Sequence, residues 1–156
     1  IVGKSWVMDA FQKTFVSSTN WTDRIGPAAA LATIKKYVAR NVHEHINDIG
    51  LRVQAIWSEA ASRHGLDIHV SGIPSLAAFA FASDPRAPEK YAYFVRRMLD
   101  HGYLGFRQFK ASASHMAGDL EPYREAVNEI FCELATGVDL EGLTPAHTGF
   151  HRLTKE

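Results

Sequence analysis

The chain has 156 residues, with 17 Lys and Arg against 17 Asp and Glu, and a single cysteine, Cys132. This length is enough for one hydrophobic core, whereas a net charge of zero offers no basic field for nucleic acid or an anionic membrane surface. One cysteine excludes an intrachain disulfide and a cysteine-rich zinc site, and it favours a reducing, cytoplasmic location. No apolar run reaches the roughly 20 residues of a membrane span.

The first residues, Ile1-Val2-Gly3-Lys4, are apolar and include no methionine. They are typical of the end of a strand that begins further upstream. We therefore expect the chain to be a segment of a longer polypeptide.

A long amphipathic helix is predicted from Pro27 to about Ser62. Pro27 suits its first turn, Gly65 suits the position after its end, and Gly50 is a candidate kink or break. The apolar residues recur at steps of three and four, the spacing of one helix face: Leu31, Ile34, Val38, Val42, Ile46, Ile49, Val53, Ile56 and Ala60.

Two short strands, residues 66–71 and 76–82, are predicted next, joined by Gly72-Ile73-Pro74. Residues 83–88 carry the turn residues of a loop. A helix is predicted from residue 89 to residue 101, because apolar side chains there recur at helical spacing and Gly102 follows.

Residues 103–113 predict a turn that leads into a strand, and a last helix is predicted from about Asp119, with Pro122 in its first turn, to Gly137. The order helix, strand, strand, helix, strand, helix indicates an α+β fold, in which a small antiparallel sheet packs against helices. Residues 138–156 are expected to run irregularly over the surface.

The eight histidines do not form a recognisable metal motif. His43 and His45 are two apart on a helix, so they point to different faces and cannot both bind one ion. Pro145 and Gly149 make a helix through His147 and His151 unfavourable, so these two histidines are expected at the surface. His115 is expected to be a hydrogen-bonded polar residue where the last helix begins.

Nucleophilic and phosphate-binding motifs are also lacking, because the sequence contains no Gly-x-Ser-x-Gly, Walker loop or Gly-x-Gly-x-x-Gly. Cys132 falls on the apolar side of the last helix and is expected to behave as a small hydrophobe. The chain alone does not predict a self-contained active site.

Residues 15–30 form a hydroxyl-rich segment that runs directly into the long helix. Hydroxyls and unpaired N–H groups at a helix N-terminus can bind an anion. The same residue types also serve as N-caps, here Thr22 or Asp23. The residues alone leave both interpretations open.

This segment resembles the loop before the long helix in class III (fold type I) aminotransferases. In that family a Thr five residues before a Pro contacts the phosphate of pyridoxal 5′-phosphate (PLP) in the neighbouring subunit, and Thr22 stands five residues before Pro27. The chain departs from the family in having Ile25-Gly26 before that Pro and Trp21 before the Thr. The resemblance implies that Thr22 and Trp21 bind the cofactor.

The resemblance covers nearly the whole chain. It includes Val7-Met8-Asp9, Gly72-Ile73-Pro74-Ser75 and Ala113-Ser114-His115 followed by Gly118-Asp119-Leu120, and the last of these is similar to the glutamate-1-semialdehyde aminomutase branch. It implies that residues 1–26 lead in from a large PLP-binding domain. Residues 27–156 would then form the connecting helix and the C-terminal small domain.

The family's Schiff-base lysine would lie upstream of Ile1, so the resemblance implies that this segment alone is inactive. Lys4 matches a different family lysine, and we expect it to be structural or exposed. Arg107 falls where the aminomutase-like enzymes place a substrate-side residue that is often acidic. An Arg there could bind a substrate carboxylate, but it could equally be a surface residue.

Two functions are therefore predicted. The first is part of a cytoplasmic, homodimeric, PLP-dependent aminotransferase or aminomutase that acts on a small-molecule amino donor and acceptor. The second is a non-catalytic α+β interaction module that binds no PLP. The sequence identifies neither the substrate nor whether the first candidate is an aminotransferase or an aminomutase.

Overall fold

The computed structural model of the protein describes residues 3–11, 13, 23–82 and 84–143. The chain divides into two compact units, Ile1–Arg40 and Asn41–Glu156. The first unit contains helices α1 (Ser5–Phe11) and α2 (Ile25–Ala39). The second contains α3 (Val42–His64), β1 (Ile68–Ser71), β2 (Leu76–Phe81), α4 (Ala87–Asp100), β3 (Gln108–Lys110), a short 3₁₀ helix (Ala117–Asp119) and α5 (Leu120–Thr136).

Helix α2 carries Pro27 in its first turn, as predicted. The Oδ1 atom of Asp23 accepts the backbone N–H of Ile25 at 3.3 Å, but the N-cap residue is Arg24 and its side chain makes no capping hydrogen bond. None of the residues of α2 is buried, and Leu31, Ile34 and Val38 are more than half exposed.

The predicted single long helix is two helices, and the break is not at Gly50. Helix α2 ends at Ala39, and Asn41 has φ +48°, the left-handed conformation, before α3 begins at Val42. Asn tolerates this conformation better than most residues because its side chain is short and polar. Gly50 lies buried within α3, where a Cβ atom would come 1.8 Å from the carbonyl oxygen of Pro74.

The three strands form one antiparallel sheet in the order β1-β2-β3, with Val70 opposite Phe79 and Ala77 opposite Phe109. This confirms the predicted α+β fold. Helix α4 begins at Ala87, two residues earlier than predicted, because Asp84 accepts the backbone N–H of Arg86 at 2.8 Å and Pro88 fits the first turn.

The core of the second unit lies between the sheet and helices α3, α4 and α5. Alternate residues of β2 face it, and the ring of Phe79 makes edge contacts, at 5.0–5.8 Å between centroids, with Trp57, Phe94 and Phe131. Residues 138–143 follow α5 without helix or strand, as predicted, and Leu140 is buried. No described helix is both long and apolar enough to cross a membrane.

Candidate functional site

Arg107 lies in the segment that leads from α4 into β3, and its side chain is exposed. Its guanidinium carbon lies over two aromatic rings, 5.3 Å from the centroid of Tyr91 and 5.7 Å from that of Phe106. Both distances are within the range of cation–π attraction. The structure thus places the predicted substrate-side residue beside an aromatic surface that the sequence did not reveal.

Backbone hydrogen bonds at the end of the sheet explain this position. The N–H of Phe79 donates to the carbonyl oxygen of Arg107 at 2.9 Å. The next N–H on the same side of β2 belongs to Phe81, and it donates at 3.1 Å to the hydroxyl of Tyr91. The Tyr91 hydroxyl therefore takes the place of a strand partner, which fixes its ring below Arg107.

No carboxylate of the described residues forms an ion pair with Arg107, in contrast to Arg97 and Lys90 of the same unit. Arg97 is held by Glu129, Glu133 and Asp100, and Lys90 lies 2.5 Å from Asp84. An Arg without a carboxylate partner keeps its N–H groups available to an external anion.

A cavity of about 550 Å³ opens next to this segment, between β3 and the start of α5. Four aromatic rings line it together with polar side chains, and Phe106 belongs both to this wall and to the surface beside Arg107, which does not itself line the cavity. The aromatic residues are Tyr103, Phe106, Phe109 and Tyr123, and the polar ones are Gln108, Lys110, His115 and Asp119. A concave wall that combines aromatic rings with convergent polar groups is typical of small-molecule sites.

His115 is hydrogen-bonded just before α5, as predicted. Its Nδ1 accepts the backbone N–H of Ser112 at 3.0 Å and lies 2.9 Å from the Ser112 hydroxyl, and its carbonyl oxygen accepts from Nε2 of His45 at 2.8 Å. Because Nδ1 is an acceptor, a neutral His115 carries its proton on Nε2. The ring also packs against Phe109, 5.0 Å away.

Tyr123 lines the cavity, and its hydroxyl is hydrogen-bonded to a buried residue of α3. The indole N–H of Trp57 donates to the Tyr123 hydroxyl at 2.9 Å. Burial raises the pKa of Tyr123 above its ordinary value, so the hydroxyl stays neutral at physiological pH. The hydroxyl therefore satisfies the buried indole N–H of Trp57.

Thr22 and Trp21, the predicted cofactor-binding residues, lie outside the described residues. So do His147 and His151. Lys4 is described and exposed. Cys132 is half-buried on α5.

Metal binding finds no support in the described part of the chain, because no three His, Cys, Asp or Glu side chains there are grouped closely enough to hold an ion.

Tyr91 is the site residue that sequence reasoning missed. Its spacing with Phe94, Val95 and Met98 predicts an inward-facing core residue of α4, and the ring does pack on Phe79 and Phe81. Its contact with Arg107, 16 positions later, depends on the path of the intervening turn, for which the sequence has no local signal.

No protein-family model matches the chain. The chain is 32% identical over 114 residues to glutamate-1-semialdehyde 2,1-aminomutase of Methanosarcina acetivorans. The matched segment covers 65% of this chain and 27% of that protein. The chain is 24% identical over 132 residues to aminopentol aminotransferase of Sphingopyxis macrogoltabida, covering 84% of this chain and 31% of that protein.

The fold is similar to that of the FumI protein of Sphingopyxis sp. MTA144, whose structure is of the PLP internal aldimine form. The TM-score is 0.69 at 25% identity, over 92% of this chain and 34% of the other. The chain thus spans about a third or less of each of these proteins. The predicted relationship to aminotransferases and aminomutases is confirmed, and the similarities are consistent with the C-terminal part of a class III aminotransferase.

Proposed function

We propose that the chain is the C-terminal part of a class III aminotransferase or aminomutase, which uses lysine-bound PLP to transfer an amino group between small molecules. The supporting observation is the similarity of 92% of the chain to the PLP-containing FumI structure. PLP, when bound, withdraws electrons from the carbon that carries the amino group. The rest of this proposal concerns what the chain's own residues contribute.

In this proposal residues 1–26 lead in from a large domain, and residues 27–156 form the connecting helix and the small domain. The lysine that binds PLP lies upstream, so this segment alone is inactive. The enzyme is a cytoplasmic homodimer, and its active site spans the two subunits.

Thr22, with Trp21 beside it, contacts the cofactor phosphate of the neighbouring subunit. The residues fit this role, because α2 begins at Ile25, three positions after Thr22, and a helix N-terminus carries N–H donors and partial positive charge. The Asp23 carboxylate accepts the Ile25 N–H at 3.3 Å, so this N–H of the first turn does not need the Thr22 hydroxyl as its acceptor.

Arg107 binds the substrate in this proposal. It is exposed, forms no ion pair with the described carboxylates, and has a guanidinium fork that suits a carboxylate.

One observation favours the second candidate, a non-catalytic interaction module. Among the described residues, the buried core of the unit Asn41–Glu156 consists of side chains of that unit. Such a unit has no need of a cofactor to complete its core.

The intact mass of the natural protein and its absorbance before and after borohydride reduction test the two candidates. A mass far above 17.3 kDa with a reducible chromophore supports the enzyme. A 17.3 kDa protein without a chromophore supports the interaction module.

In the full-length enzyme we expect Thr22→Ala to weaken PLP binding by about 10-fold or more, because a hydrogen bond to a charged group is lost. The control is Thr33→Ala, an exposed position of α2, which should leave the affinity unchanged. Equal PLP affinity in both variants contradicts the role of Thr22.

A further inference from the structure

The cavity between β3 and the start of α5 is lined by polar side chains that keep hydrogen-bonding groups for a ligand. Among the described residues, the side chains of Gln108 and Lys110 have no hydrogen-bond or ion-pair partner. His115 uses only Nδ1 of its ring, so its Nε2–H is left as a donor. Asp119 accepts the Met116 N–H at 2.8 Å through Oδ2, which leaves Oδ1 as an acceptor.

These groups differ in charge and in hydrogen-bonding role. Lys110 and His115 donate, Asp119 accepts, and the Gln108 amide does both. An anionic ligand would meet the carboxylate of Asp119, and a cationic ligand would meet the ammonium of Lys110. A hydroxyl group both donates and accepts, so it suits every member of the set. The polar part of the wall therefore favours a neutral ligand with several hydroxyls.

The aromatic part of the wall fits the same kind of ligand. The rings of Tyr103 and Tyr123 meet edge to face, 5.6 Å apart, and the Tyr123 hydroxyl already accepts the Trp57 N–H. These rings, with Phe106 and Phe109, offer apolar surface. A sugar ring carries C–H groups on its faces and hydroxyls around its edge, so it can bury the former against aromatic rings and bond through the latter.

We propose that this cavity binds a neutral, polyhydroxylated small molecule of the size of a sugar ring. Its volume of about 550 Å³ is sufficient for such a ligand. The proposal goes beyond amino-group transfer, because none of these contacts requires PLP.

The test is calorimetric titration of the full-length protein with methyl glucoside and three analogues. Methyl glucuronide adds a carboxylate, methyl 6-amino-6-deoxyglucoside adds an ammonium, and tetrahydropyran lacks the hydroxyls. We expect the glucoside to bind saturably with a Kd of about 1 mM or tighter, which is ordinary for a ligand of its size. Each charged analogue should bind about 5-fold more weakly, because it meets a like charge, and tetrahydropyran should not bind measurably.

Variants of the polar wall should change these affinities in different ways. Lys110→Met and Gln108→Leu, both at exposed positions, should each weaken glucoside binding by about 5- to 10-fold. Asp119→Asn keeps an acceptor for the Met116 N–H but removes the negative charge. It should therefore shift the preference toward methyl glucuronide by about 5-fold. Lys35→Met, at an exposed position of α2 outside the cavity wall, is the control and should bind like the wild type.

The position of the ligand is checked by the NMR signal of the Trp57 indole N–H, assigned with Trp57→Phe. This N–H is bonded to Tyr123 of the cavity wall, so saturation with the glucoside should shift its signal. Thermal unfolding confirms that each variant is folded.

Three results would overturn the inference: a folded wild type that does not bind the glucoside saturably, a charged analogue that binds it more tightly than the glucoside does, or a Trp57 signal unchanged at saturation. Equal affinity in the wild type, Lys110→Met and Gln108→Leu would do the same. Binding is measured without any amino-group reaction, so a missing PLP chromophore overturns the proposed function and leaves this inference standing.

Discussion

Glu133 joins two helices through a network of charged groups. Its Oε2 accepts hydrogen bonds from the Tyr93 hydroxyl at 3.1 Å and from Nε of Arg97 at 3.0 Å, and its Oε1 accepts from Arg97 at 2.8 Å. The hydrogen bonds from Arg97 hold the pKa of Glu133 below its ordinary value. No local pattern predicts this contact, because Arg97 and Glu133 are 36 positions apart on different helices.

We expect Glu133→Gln to lower the free energy of unfolding at pH 7 by on the order of 1–2 kcal/mol. Because the folded pKa lies below the unfolded value of about 4.5, the ionised carboxylate stabilises the fold above that pH, and this contribution disappears as the pH falls through the folded pKa. The variant should therefore lose less stability than the wild type between about pH 5 and pH 3.

Urea unfolding at pH 7, 5, 4 and 3 measures this difference. Glu125→Gln, an exposed residue of the same helix, is the control and should follow the wild type. Parallel curves for wild type and Glu133→Gln would mean that the carboxylate is not coupled to Arg97 in solution.

At the scale of elements, α3 crosses the connection between β1 and β2 at very short range. A methyl group on Gly50 would come 1.8 Å from the backbone oxygen of Pro74, so the helix and the connection would have to move apart. Alanine improves helix propensity by about 1 kcal/mol, but displacing packed backbone costs more. We expect Gly50→Ala to destabilise the protein by about 2 kcal/mol or more.

Denaturant unfolding checks this expectation, with Gly118→Ala as the control because nothing lies within 4 Å of its added Cβ. A Gly50→Ala protein as stable as the wild type would show that the close approach is not kept in solution.

Most elements could be predicted from periodicity and from Gly and Pro. Gly65 and Gly137 end helices in the left-handed conformation, as the sequence indicated. The break at Asn41 could not be predicted, because the apolar spacing continues from Val38 to Val42 without interruption. The position of Gly50 depends on Pro74, a tertiary neighbour, so propensity alone gave the wrong interpretation.

Of the candidate site, too, one part could be predicted from the sequence and another could not. Arg107 could be located from the resemblance, whereas its contacts with Tyr91 and Phe106 depend on how a turn brings α4 and β3 together. The contacts between residues distant in sequence could not be predicted from local sequence patterns.

At the scale of the whole molecule, the first unit presents an apolar stripe. Leu31, Ile34 and Val38 lie on one face of α2 by their spacing and are 56%, 60% and 66% exposed. Contiguous exposed apolar groups promote association. We expect the triple variant Leu31→Gln, Ile34→Gln, Val38→Gln of the 156-residue chain to bind less of an apolar dye and to self-associate less.

Dye fluorescence and light scattering measure these two effects. The control variant, Ala29→Gln with Thr33→Gln, changes the other side of α2 and should behave as the wild type. The thermal midpoint of the core in Asn41–Glu156 should be unchanged in both, since α2 contributes no buried residue. Unchanged dye binding in the triple variant would contradict the exposure of the stripe.

The hydrogen bond between the backbones of Phe79 and Arg107 has an evolutionary consequence. Because position 107 pairs with the sheet through its carbonyl oxygen, any side chain there preserves the strand contact. Tyr91 has no such freedom, since its hydroxyl and ring both support the sheet. A single amino-acid substitution can therefore change the charge at position 107 while the strand contact persists, which makes this sheet edge a place where new preferences can arise.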